Sequence, residues 1–282
     1  MEIAYNRRSL KIDESRYVQT KQDVNKYCGK SKPYHIYHGK QLSTLFYVNK
    51  RDKNSLKEGN WLTDNCINAF FEIMQVWARI NSMKIGCISS HFSSKIEQNN
   101  WEETKNYIKP GSSNCHSGWQ SKASVSLDED LLLFPFHCLN RSHWSLIARY
   151  RLQTESNTPL IKFVLMDSAF QKNTLTLAQD LVFHTPMCEN NQSISIDSYR
   201  KTHWIYIPSL RQNEVECGAR ICLHAYLLLK TFYESNGKIP SNKFMESYQH
   251  LCNGRVLRKW ISDILINGHM IDPLDIYKQS MR

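Results

Sequence analysis

Three absences narrow the reading of this 282-residue chain before any motif is considered. No run of about 18 apolar residues occurs, so no segment reads as a membrane-spanning helix. The first residues, Met-Glu-Ile-Ala-Tyr-Asn-Arg-Arg, lack the apolar stretch of a secretory signal. None of the nine cysteines forms a Cys-x-x-Cys pair. The odd number and the missing pairs argue against a disulfide framework and fit an intracellular, reducing compartment, cytoplasm or nucleus, for a soluble protein. Adjacent pairs such as Cys115-His116 and His137-Cys138 lack a second pair at ligand spacing, so no metal site is expected. No internal repeat is visible.

What is present is a globular composition with 41% hydrophobic residues and seven tryptophans. The charge is unevenly spread. Residues 1–60 hold 13 Lys and Arg against 6 Asp and Glu, a net of +7 within a chain total of +10. Residues 1–45 read as a basic, variable extension, and residues 46–282 as one catalytic-size domain. The extension is a candidate contact for an acidic partner or nucleic acid, or a solvated basic tail.

The chain is organised around residues 211–229. A polar loop carrying Gln212 ends in Cys217-Gly218, after which apolar residues recur at steps of three and four: Gly218, Ile221, Cys222, Ala225, Leu228, Leu229, Phe232. Cys217 thus stands at the start of a buried helix, where the helix terminus favours a thiolate. Gln212 lies where a side-chain donor to a developing oxyanion belongs. A buried free cysteine opening a core helix is the competing reading.

The rest of the chain decides between them. Thr63 or Asp64 caps a helix bearing Ile67, Phe70, Phe71, Met74, Trp77 and Ile80, with Trp61 just ahead of it. Residues 50–60 read as a charged loop and 41–49 as a strand or linker. A helix is expected over 97–108. Residues 131–137, 143–151 and 160–166 read as strands, the last two as an antiparallel hairpin. That hairpin puts His143, at one strand start, beside Asp167, at the next strand end. A short helix over 175–183, a strand over 203–208 and a helix over 256–266 complete the pattern. The expected fold is α+β, a central, mostly antiparallel sheet flanked by helices.

A thiolate nucleophile, an imidazole that takes and returns a proton, a carboxylate that fixes its tautomer and an amide donor are what acyl transfer needs. The chain supplies them in the order His143, Asp167, Gln212, Cys217. His203 is a second histidine followed by tryptophan, but using it breaks that order. Asp180 and Asp197 are the alternative carboxylates, one in a helix and one in a polar loop, and Cys222 lies on the apolar helix face.

The segments His143-Trp144-Ser145-Leu146, Met166-Asp167-Ser168, Gln212-Asn213, Glu216-Cys217-Gly218 and Trp61-Leu62-Thr63-Asp64 together resemble the ubiquitin-like-protein-specific (SUMO/sentrin-specific) cysteine proteases of the adenain-like clan. The resemblance spans about residues 50–235. It implies the adenain-like fold, Cys217 as nucleophile, His143 as base and acid, Asp167 as its orienter and Gln212 as oxyanion donor, with no cofactor. It further implies substrate contacts at Trp61, Trp144 and Gly218, the two rings walling a channel for a C-terminal Gly-Gly, and at Asp64 for a basic residue of the modifier. The implied activity is a thiol isopeptidase of the ubiquitin-like-modifier conjugation pathway, cutting SUMO, NEDD8 or ubiquitin. A viral or mobile-element polyprotein protease, an acetyltransferase of the same clan and a non-enzymatic binding module are the alternatives. Departures from the family pattern bear on the branch: Thr63 stands where the family has Asn, the loop from Gln212 to Cys217 is one residue shorter and has Asn213-Glu214-Val215 in place of the Asn-Gly pair, and the hairpin from His143 to Asp167 is longer.

Overall fold

The computed structural model describes residues 32–38, 41–98, 108–109, 125–138, 142–154, 159–169, 172–185, 187, 195–208, 215–235, 239, 241, 244–245, 247–251 and 253–280. Its strands are β1 (Lys32–His38), β2 (Gln41–Val48), β3 (Ile85–Cys87), β4 (Ile108–Lys109), β5 (Val125–Ser126), β6 (Leu131–Cys138), β7 (His143–Leu152), β8 (Leu160–Asp167) and β9 (Trp204–Pro208). Its helices are α1 (Lys50–Ser55), α2 (Asp64–Ile80), α3 (His91–Glu97), α4 (Lys172–Phe183), α5 (Ile196–His203), α6 (Cys217–Glu234), α7 (Gly254–Asn267) and α8 (Pro273–Ser280).

The sheet that carries the site has the order β3-β6-β7-β8-β9. Its two central pairings are antiparallel, as expected, but β3 joins β6 and β9 joins β8 in parallel. The sheet is therefore mixed. A parallel partner needs a long crossover, and α4 and α5 lie within the one between β8 and β9.

Both faces of this sheet are covered, and the period of two along each strand sorts residues between them. Leu146, Ala148 and Tyr150 of β7 join Val164 and Met166 of β8 in the core shared with α2, α6 and α7. Ile147, Phe163 and Leu165 point the other way, into the core shared with α3, α4 and α5. Trp260 of α7 is fully buried against Phe70 and Tyr226, and its indole N–H donates to Ile271 O at 2.7 Å. Pro135 sits inside β6 without cost. The odd-numbered groups Leu133 O and His137 N point toward β3 and α3, and β3 reaches only as far as Leu133, so no strand asks Pro135 for an N–H.

Local chemistry explains where expectation and structure part. Residues 50–55 form a helix, not a loop, because Asn49 and Asp52 make a capping box: Asn49 Oδ1 accepts from the amides of Arg51 and Asp52, and Asp52 Oδ2 accepts from Asn49 N. Residues 196–203 are likewise helical, with Ser195 as cap. The helix expected over 97–108 meets α3 only at residue 97, and residues 99–107 lie outside the described residues. The hairpin β1–β2 crosses the expected boundary at residue 45. Thr63 caps α2 through Cys66 N. No helix among the described residues is long and apolar enough to cross a membrane.

Candidate active site

The end of β8 and the start of β7 converge at one corner of the sheet. Pairing of Leu146 with Met166 sets the register, which carries Asp167 past Leu146 toward the start of β7, where the His143 side chain reaches it. His143 Nε2 lies 2.6 Å from Asp167 Oδ1. The same Oδ1 accepts the Ala169 amide at 2.9 Å, which fixes the carboxylate just past the strand end. Asp167 is 1% exposed, and its Oδ2 has no hydrogen-bond partner among the described residues.

The helix α6 begins at Cys217, so the Cys217 side chain stands at its first turn. That side chain lies near enough to the His143 ring to act on its protonation. With Nε2 taken by Asp167, Nδ1 is the ring nitrogen left for the thiol. Burial pushes the His143 pKa down, but the hydrogen bond to Asp167, the nearby Cys217 side chain and the negative charge of both outweigh it and raise the value to about 9. Cys217 is fully buried.

Gly218 shows how closely the walls approach. A Cβ there would stand 3.0 Å from Leu62 Cβ, 3.2 Å from Ile67 Cδ1 and 3.6 Å from Trp144 Cδ1. The Trp61 segment and Trp144 thus flank the helix start from two sides. Gly218 is itself buried and lies against these side chains. Trp61 is 45% exposed, whereas Trp144 is buried with its ring 4.4 Å from that of His137. Asp64, first residue of α2, is exposed, and its charge reaches His137. Burial lowers the His137 pKa, and the nearby His143 lowers it further.

The rival residues lie elsewhere. His203 stacks on Tyr199, with Nδ1 2.7 Å from Thr202 Oγ1. Asp180 and Asp197 both pair with Arg200. Cys222 is buried inside α6, and burial pushes its thiol well above the ordinary range. Gln212 lies outside the described residues.

Three residues beneath the site, Arg220, His224 and Arg258, carried no motif. Arg220 is buried and pairs with Glu216 at 3.4 Å. His224, one turn further along α6, is driven down to about 3 by burial and by Arg220, and is therefore neutral near pH 7 within reach of the Asp167 charge. Arg258 of α7 donates to the main chain just before Cys217. The signal for these was a charged residue inside an apolar helical period. No group of His, Cys, Asp and Glu that could hold a metal ion occurs among the described residues.

Comparison with solved structures bears on the fold. A crystal structure of a de-sumoylating protease superposes with a TM-score of 0.58 at 15% identity, covering 84% of this chain and 91% of its own. This chain has that protease's fold. The C-terminal Ulp1 protease domain in complex with Smt3, the yeast ortholog of SUMO, gives a TM-score of 0.49 at 14% identity over 91% of this chain and 96% of its own. No protein-family model matches the sequence, and no curated protein matches it.

Proposed function

We propose that the protein is a thiol isopeptidase that cuts after the C-terminal Gly-Gly of a ubiquitin-like modifier. The observation that carries this reading is one imidazole, His143, hydrogen-bonded to Asp167 and acted on by Cys217 at a helix start.

The chemistry follows from that arrangement. The Cys217 proton passes to His143, and Asp167 stabilises the resulting imidazolium without taking the proton. Sγ attacks the glycine carbonyl carbon, and the C=O electron pair moves onto oxygen. The Cys217 main-chain N–H is among the first four of α6, which have no carbonyl partner within the helix, so it is available to this oxyanion, and the sequence offers the Gln212 amide as a second donor. The C–N bond breaks, His143 protonates the departing lysine amine, and a thioester remains. A water that gives its proton to His143 then attacks the thioester and releases the modifier carboxylate.

Selectivity rests on the walls around Gly218. Flat rings at Trp61 and Trp144 leave a slot for residues without a Cβ, and Asp64 offers a carboxylate to a basic residue of the modifier. The fold shared with a de-sumoylating protease supports SUMO as the first modifier to try.

The test is a panel of SUMO, NEDD8 and ubiquitin probes with a C-terminal electrophile, read by intact mass and by mapping the labelled peptide. Labelling of Cys217 by one modifier, lost in His143→Ala, is the expected result. Labelling by none of them, while iodoacetamide still modifies Cys217, removes modifier specificity and favours cleavage of Gly-containing polyprotein sites.

A further inference from the structure

Arg258 is a charged side chain on the apolar face of α7. It is 2% exposed and lies on the same side of the helix as the fully buried Ile261 and Leu265. A guanidinium there has to find acceptors. It finds three main-chain carbonyls, each in a different segment. Nη1 donates to Ser55 O, at the end of α1, at 2.5 Å. Nη2 donates to Val215 O at 3.0 Å and also to Asn60 O. Asn60 precedes Trp61, and Val215 stands two residues before Cys217. A single nitrogen therefore bonds to the segment carrying the exposed tryptophan and to the segment carrying the thiol.

Glu216 supplies the opposing charge. Its Oε2 is 3.4 Å from Arg220 Nη2, and it attracts Arg258 electrostatically. Its Oε1 rests against Gly254, the first residue of α7, where a Cβ would come within 1.7 Å. The residue immediately before Cys217 is thus seated on the helix that carries Arg258.

We infer that Arg258 is a positioning residue that holds the Cys217 segment and the Trp61 segment in register, so that the thiol and the channel wall keep a fixed separation. The inference rests on reading Cys217 as the nucleophile. Arg258 touches neither thiol nor substrate. Its planar fork bonds three carbonyls at once, which a lysine ammonium at the same site is not shaped to do.

Arg258→Lys keeps the charge and removes the fork. Two readouts need no protein substrate: the pH profile of Cys217 alkylation by iodoacetamide, and amide hydrogen exchange of the full chain. A misplacement of ~1 Å costs about 100-fold in rate, so alkylation should slow by about 10- to 100-fold, with exchange rising together in residues 58–63 and 215–219 but not in β7. Wild-type alkylation and unchanged exchange in a folded Arg258→Lys protein overturn the inference, as does a rise in only one segment. Gly254→Ala provides a second route, because it displaces Glu216 while favouring the helix. Slower alkylation at undiminished thermal stability supports the inference. If Arg258→Lys does not fold, wild-type alkylation in Gly254→Ala overturns it alone. Wild-type Cys217 reacting no faster than buried Cys222 defeats the nucleophile reading itself, a result distinct from any of these.

Discussion

His143 and Asp167 are 24 residues apart in sequence and 2.6 Å apart in space, because the β7–β8 hairpin returns the chain to its starting edge. The carboxylate is almost fully buried and also carries the Ala169 amide, so the imidazole has one orientation in which both its nitrogens are useful.

Asp167→Asn tests that orientation. An amide in place of the carboxylate presents a donor or a weaker acceptor to Nε2 and no longer stabilises the imidazolium. Modifier cleavage is expected to fall by about 1,000- to 10,000-fold, the size of effect that loss of the orienting carboxylate has on such triads. Circular dichroism and thermal melting should show the variant folded. A fall under tenfold in single-turnover assays would remove Asp167 from the mechanism.

The pH dependence follows from the His143 value of about 9. An imidazole in the unfolded chain titrates near ~6.5. A group whose folded pKa lies above its unfolded one stabilises the fold fully below the unfolded value and loses that contribution as pH rises through the folded one. The stability gap between wild type and Asp167→Asn should therefore be widest near pH 6 and narrow toward pH 9. In activity, kcat/KM should show a descending limb near pH 9, where the imidazolium loses the proton that the departing amine needs. A pH-independent stability gap, or a limb that does not move in Asp167→Asn, would contradict the assignment.

Asp52 anchors the Trp61 segment from the other end. Its Oδ1 accepts from Thr63 Oγ1 at 2.7 Å and its Oδ2 from Asn65 Nδ2 at 2.8 Å, besides capping its own helix. Asp52→Ala should destabilise the protein by about 2 kcal/mol through lost hydrogen bonds to a buried carboxylate. KM for a modifier substrate should rise more than kcat falls, since the thiol and imidazole are untouched. Urea denaturation and steady-state kinetics measure the two effects.

The candidate site was legible in sequence where the geometry is local. A cysteine opening an apolar period of three and four, and a histidine and aspartate at facing ends of two apolar runs, need only element types to be placed. The parallel pairing of β9 was not legible, since side-chain period reports burial and not strand direction. The short α1 and α5 were hidden because a few cap bonds at Asn49, Asp52 and Ser195 decide them, not a sustained pattern. Arg258 was passed over because a lone arginine in an apolar helix acquires its meaning from carbonyls 43 to 203 residues away.

Gly218 offers the sharpest contest between local propensity and packing. In an exposed helix interior, replacing glycine by alanine stabilises by about 0.5–1 kcal/mol. Here the added Cβ would stand 3.0 Å from Leu62 Cβ, an atom fixed close to the main chain, and 3.2 Å from the Ile67 tip. The isoleucine tip can turn away, but Leu62 moves only with the segment that carries Trp61. Overpacking of this kind costs about 1–3 kcal/mol, so Gly218→Ala should lower stability by about 1 kcal/mol or more despite its helical position. Because the displaced atoms belong to the proposed channel wall, probe labelling of Cys217 by a ubiquitin-like modifier should fall further than iodoacetamide alkylation of the same thiol. A variant that melts above wild type with unchanged labelling would show that the segment gives way freely, and would leave Gly218 no part in shaping the site.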